Sequence, residues 1–149
     1  MPCKVLEIPA VIASLGTIAH FVQDVAAEAG LDPTAAYRLR LAVDEIATNV
    51  ITYGYSGIGA ADAITVECRI TDTEVIVELI DRGQAFDPLT SLPDPDELTK
   101  PLDERRIGGL GIFLARSSVD DFRYERVKDT NHNTFVVNRV GRADKGGDR

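Results

Sequence analysis

Three short clusters in this 149-residue chain carry side chains or backbone suited to chemistry. Glu45 and Asn49 are four residues apart, a spacing that stacks two side chains on one helix face. A carboxylate there can accept a proton from a hydroxyl, and a carboxamide oxygen is a hard ligand suited to Mg²⁺. In Asp81-Arg82-Gly83 an acid follows the end of an apolar alternation, with a glycine two residues on. Such an acid can accept a hydrogen bond from a purine's exocyclic amine, and the glycine lets a ring approach the backbone. Gly108-Gly109-Leu110-Gly111 precedes a short helical pattern, and exposed amides at a helix start attract phosphate.

Each cluster alone is commonplace. A polar pair on a helix is usually a solvated face, Asp and Gly after a strand are usual turn residues, and glycines before a helix often form a hinge. The glycines are not a P-loop, because no Lys-Ser/Thr follows them. Nor do they fit a Rossmann unit, because the strands form hairpins instead of alternating with helices.

The surrounding pattern predicts the elements that must position these residues. A helix runs from Ser14, its expected cap, to about Gly30, with Ile18, Phe21, Val22, Val25 and Ala29 at helical spacing. Asp32-Pro33 opens a second helix. Its apolar stripe is Leu39, Val43, Ile46, Val50 and Tyr53, and Gly54 with Ser56-Gly57-Ile58-Gly59 ends it. Glu45 and Asn49 flank that stripe. Ile64, Val66, Cys68 and Ile70 alternate with Thr65, Glu67 and Arg69 as a strand. After a turn at Thr71-Asp72, Val75, Val77 and Leu79 mark its hairpin partner. Residues 88–107 hold four of the seven prolines and little periodicity, as a lid would. A helix over 110–118 and strands near 121–127 and 134–140 follow, and a first strand covers 4–8. The expected fold is α+β: a two-layer sandwich of a mixed, mostly antiparallel sheet with helices on one face. Residues 1–140 form one domain and 141–149 a flexible tail.

Composition bounds the function. Hydrophobic residues make up 44% and charged residues 27%, enough apolar material for one core. Twenty-four acids against 16 bases give a net charge of −8, which disfavours direct binding to nucleic acid. The N-terminus lacks a signal-peptide pattern and no apolar run could span a bilayer, so a cytoplasmic location is expected. Cys3 and Cys68, far apart, fit a reducing compartment and read as buried apolar groups on strands. His20 and His132 read as structural.

Taken together and in order, the three clusters resemble the boxes of the GHKL (Bergerat-fold) ATP-binding superfamily. LAVDEIATNVITY, residues 41–53, is similar to the N box, DRGQAFDP to the G1 box and GGLGIFLAR to the G2 box. The wording is most similar to that of bacterial anti-sigma-factor serine/threonine kinases. The resemblance implies that Glu45 is the catalytic carboxylate and Asn49 the Mg²⁺ ligand. It implies that Asp81 binds the adenine amine with Gly83 beneath the ring. Gly109, Leu110 and Gly111 would give amides to the phosphates of ATP, and Thr134 would lie near adenine. Asn133 stands where a glycine is common. The lid cations Lys100, Arg105 and Arg106 match no motif.

The implied activity is phosphorylation of a STAS-domain anti-anti-sigma partner, combined with sequestration of a sigma factor. Homodimers are common in such a family. A nucleotide-gated protein-binding module without kinase activity, or with a target other than a sigma factor, is the alternative reading. It gives Glu45 no necessary role. ATPases of the gyrase or chaperone type couple the pocket to a following domain, which the sequence does not show after its last strand.

Overall fold

Helices in this chain form where apolar residues recur every three or four positions, and strands where they recur every two. The computed structural model describes residues 3–54, 63–85 and 115–139. The lid at 88–107, the glycines at 108–111 and the tail from 141 lie outside that set.

Strand β1 (Cys3–Pro9) leads through a 3-10 turn (Ile12–Ser14) into α1 (Leu15–Glu28) and then α2 (Pro33–Asn49). Ser14 occupies the cap position of α1, but its backbone is already helical and its side chain caps nothing. The preceding 3-10 turn, in which the Ser14 amide donates to the Val11 carbonyl at 2.9 Å, replaces the expected cap. The far end of α1 follows the sequence signal. Gly30 takes φ +76, its amide donates to Ala27 and that of Leu31 to Ala26, the paired closure that a left-handed residue permits. Two residues on, the Asp32 side chain accepts from the Ala35 amide at 2.8 Å and Pro33 supplies the first turn of α2.

Strands β2 (Ala63–Ile70) and β3 (Glu74–Asp81) form the expected hairpin. Thr71 makes the turn, its hydroxyl accepting from the amides of Thr73 and Glu74. Strands β4 (Asp121–Val127) and β5 (Thr130–Asn138) form a second hairpin. β5 therefore begins before the predicted 134, because Asn131 and Asn133 continue the strand although neither suggests one by type. Helical residues 115–118 precede β4. The sheet order is β1-β2-β3-β5-β4, and all four described pairings are antiparallel.

One face of this sheet is apolar and lies under the helices. Ile64, Val66, Cys68 and Ile70 of β2, Val75, Val77 and Leu79 of β3, and Phe135 and Val137 of β5 join Ile18, Val22, Val25, Leu39, Val43 and Ile46 in one buried cluster. At the β4–β5 edge, Phe122 meets Phe135 with ring centroids 5.1 Å apart at 57°. α1 packs against α2 and β2, and α2 packs across β5. The two-layer α+β reading holds. No described helix is long and apolar enough to cross a membrane.

Candidate nucleotide site

The direction of α2 decides whether the sequence clusters can meet. A groove lined by Asp32, Thr34, Ala35 and Arg38 together with Val137 and Asn138 sets the start of α2 against the end of β5. α2 has 17 residues, about 25 Å of helix. The strand from Asn138 back to Asn131 covers about 23 Å. α2 also packs against β5, a strand that starts at Thr130. There Asn131 pairs in register with Asp81. Asp81 and the start of β5 thus share one end of the sheet.

Asn49 is the last residue of α2, ahead of a π-helical turn (Val50–Gly54). Such wide turns recur where a helix is adapted to a site. Its side chain is buried and its Nδ2 has no hydrogen-bond partner among the described residues. Glu45, one turn earlier, is half-buried. Loss of solvent, and secondarily the neighbouring Asp44 charge, push its carboxyl above the ordinary value.

Asp81 ends β3 on the inward face and is 1% exposed. Its Oδ1 is fully used, accepting from the Gly83 amide at 2.8 Å and from Asn131 Nδ2 at 3.0 Å. Its Oδ2 is buried and has no partner among the described residues. Burial raises the Asp81 carboxyl, and outweighs the opposing pull of the Asn131 and Gly83 hydrogen bonds and of the Arg126 and His132 charges. The result is an oriented carboxylate with one oxygen held and the other unpaired.

What holds it was not visible in the sequence clusters. Asn131 Nδ2 also donates to the carbonyls of Gln84 at 3.0 Å and Gly83 at 3.3 Å, pinning the loop after β3. Asn131 Oδ1 in turn accepts from the Tyr124 hydroxyl and from Arg126 Nη1, the latter at 3.1 Å. Arg126 Nη1 reaches the Gly83 carbonyl as well, at 2.9 Å. The available signal was strand parity: Asn131 and Asn133 fall on the same face as Phe135 and Val137, where an apolar residue is expected.

Thr134 takes the face opposite the helices. Asn133 and Phe135 both point inward, so alternation turns Thr134 to the outer face, in register with Glu78 and Arg123. His132 lies on that outer face too, its Nδ1 2.6 Å from Glu78 Oε2 and its Nε2 3.0 Å from Thr130 Oγ1. His20 is exposed on α1, 3.8 Å from Asp24. Cys68 is buried as expected, whereas Cys3 is exposed on edge strand β1. Gly109, Leu110 and Gly111 lie outside the described residues. Among the described residues no three His, Cys, Asp or Glu side chains cluster to hold a metal.

Helices covering one face of a five-stranded antiparallel sheet are the fold of a histidine kinase-like ATPase domain. The model of that family matches residues 8–137, and the chain belongs to it. Among individual relatives, the serine-protein kinase RsbW of Listeria innocua is 33% identical over 122 residues, covering 79% of this chain and 76% of its own. The serine/threonine-protein kinase BtrW of Bordetella bronchiseptica is 32% identical over 100 residues, 67% of this chain and 68% of the relative. The anti-sigma F factor of Clostridium acetobutylicum is 29% identical over 114 residues, 75% and 73% respectively. A crystal structure of the RsbU and RsbW domains of a Mycobacterium tuberculosis protein shares the fold, with TM-score 0.66 at 20% identity over 92% of this chain and 32% of that one.

Proposed function

We propose that this chain is an ATP-dependent serine/threonine-protein kinase that works as an anti-sigma regulator. In this reading Asp81 Oδ2 accepts from the adenine amine, and Gly83, without a Cβ, lets the ring lie against the backbone. Amides of Gly109, Leu110 and Gly111 receive the phosphates. Asn49 holds Mg²⁺ through its carboxamide oxygen. The fit is chemical: a carboxamide oxygen is a hard ligand of the kind Mg²⁺ takes, and Asn49 would supply it. It is also structural, since the Asn49 Nδ2 has no partner among the described residues that would fix the amide against a ligand. The ion, when bound, neutralises phosphate charge.

Glu45 takes the proton from the attacking serine or threonine hydroxyl. The hydroxyl oxygen bonds to the γ-phosphorus as the bond from that phosphorus to the β–γ bridging oxygen breaks, and ADP leaves. A carboxyl raised above its ordinary value is better matched to this proton transfer than an exposed one. Positioning and electrostatics supply most of the remaining rate. The acceptor is a STAS-domain anti-anti-sigma protein, and the nucleotide-loaded chain sequesters a sigma factor. Nucleotide occupancy and acceptor phosphorylation together select which complex forms.

The observation that supports this reading is Asp81, buried at the end of β3 with Oδ1 held by Gly83 and Asn131 and Oδ2 unpaired among the described residues. The test is transfer of labelled phosphate from ATP to a STAS-domain protein. Glu45→Gln should cut transfer about 10²- to 10⁴-fold with ATP affinity kept, and Asn49→Ala should weaken Mg²⁺-dependent ATP binding. ATP bound tightly by the native chain with no transfer would select the non-catalytic regulatory module instead.

A further inference from the structure

Asn133 takes no part in the reading above, yet its placement is unusual for an asparagine. It is 1% exposed on the inward row of β5, in register with Leu79 of β3 and Tyr124 of β4. Its Oδ1 is buried with no hydrogen-bond partner among the described residues. Such an atom carries a desolvation penalty that nothing in the described chain offsets, and a ligand is one of the few things that can.

The register ties this atom to the nucleotide site. Asp81 pairs with Asn131, so Asn133 is the diagonal neighbour of Asp81 on the same face. Diagonal neighbours have Cβ atoms about 7 Å apart. At that separation a single nitrogen can lie within hydrogen-bond reach of both side chains. Asp81 cannot turn its other oxygen to the task, because Oδ1 is held by Gly83 and Asn131. Both open atoms, Asp81 Oδ2 and Asn133 Oδ1, are acceptors. The complementary group is therefore a single donor with two hydrogens. A carbonyl at the same place would face two acceptors and be repelled.

We infer that Asp81 and Asn133 form a two-acceptor clamp on the exocyclic amine of the purine, and that Asn133 sets the preference for 6-amino over 6-oxo bases. The inference rests on the nucleotide reading above and deepens it. Asp81 takes one amine hydrogen and Asn133 the other.

Calorimetry on the full chain, with ATP, N6-methyl-ATP and purine riboside triphosphate, tests it. Loss of the amine should cost the wild type about 100-fold in affinity, and Asn133→Ala only about tenfold, since one of two hydrogen bonds is already gone. A structural role for Asn133 would weaken ATP and the des-amino analogue equally; identical penalties in both proteins would overturn the clamp. Should the variant fail to fold, the wild type still decides. It must bind N6-methyl-ATP about tenfold more weakly than ATP, because one acceptor then meets a methyl group, and equal affinity would overturn the clamp. A wild-type chain that ignores every adenine nucleotide overturns the nucleotide reading itself, a different result from indifference to the amine.

Discussion

Strands β2 and β5 lie in the same sheet and turn alternate side chains to the same helices, yet their inward rows differ. β2 presents Ile64, Val66, Cys68 and Ile70, all buried and all within the apolar cluster. β5 presents Asn131, Asn133, Phe135 and Val137, polar for its first half and apolar for its second. The polar half is as deeply buried as the apolar one: Asn131 is 3% exposed and Asn133 1%. Burial therefore does not separate core from site in this protein. What separates them is whether each buried atom finds its partner inside the chain. β2 has nothing left to satisfy, while the start of β5 and the end of β3 keep open acceptors. A site grafted into a core in this way exchanges packing energy for recognition.

That contrast predicts two kinds of damage. The largest effect should come from the apolar row. Ile64→Ala removes a fully buried side chain and should cost about 2–5 kcal/mol of unfolding free energy. Denaturant titration would measure it. Nucleotide affinity of the fraction still folded should stay unchanged. A variant that folds well but loses ATP would break the division between the two strands.

Asn131→Ala should give the opposite profile. It removes the partner of a defined set of atoms: the carbonyls of Gly83 and Gln84 in the loop after β3, Asp81 Oδ1, and the donors Tyr124 and Arg126. The stability loss should be smaller, about 1–3 kcal/mol, because water can reach some of these groups. ATP affinity should fall about tenfold, since Asp81 loses the bond that orients it. Stability loss with unchanged ATP affinity would make Asn131 a core residue that happens to be polar.

The same contrast explains what could be read in advance. β2, β3 and the buried faces of α1 and α2 were legible because one period of apolar residues sufficed to place them. Asp32-Pro33 and Gly30 were legible because each meets a local backbone need. Asn49 and Asp81 were legible as a pattern of residue types. Asn131 was not, because its role lies in bonds to residues 47 to 50 positions away, and an asparagine breaks the strand pattern that would have revealed it. The face of Thr134 was not legible for the same reason: it depends on the parity of β5, which the two asparagines obscure. Ser14 misled because a 3-10 turn, invisible to helical periodicity, precedes α1.

Acidity sharpens the comparison further. Asp81 is raised above its ordinary value, chiefly by burial, so its ionised form disfavours folding. Its contribution to stability is present below the unfolded pKa and is lost as pH rises through the folded one. Nucleotide binding runs the other way, because the amine donates to the ionised carboxylate. As pH falls through the raised value, ATP affinity should drop by up to tenfold per unit while the Asp81 contribution to stability grows. The difference between wild type and Asp81→Asn, titrated for both unfolding and ATP binding, isolates the two trends. Parallel trends in the two measurements would show that Asp81 is not the group meeting the base.

The smallest effect belongs to Cys68, the one polar-capable side chain in the β2 row. Its thiol is pushed up to about 12, first by burial and then by the Cys3 thiol, so almost no thiolate exists near neutrality. Cys3, exposed on β1, should label readily with a thiol reagent in the native protein, and Cys68 only after unfolding. Cys68→Ala should cost about 1 kcal/mol and leave ATP affinity where it was, since the neighbouring apolar side chains lose only the packing of one sulfur. If instead ATP shielded or exposed Cys68 to the reagent, the β2 row would be moving with the nucleotide, and the boundary between a closed apolar strand and an open polar one would have to be redrawn across the whole sheet.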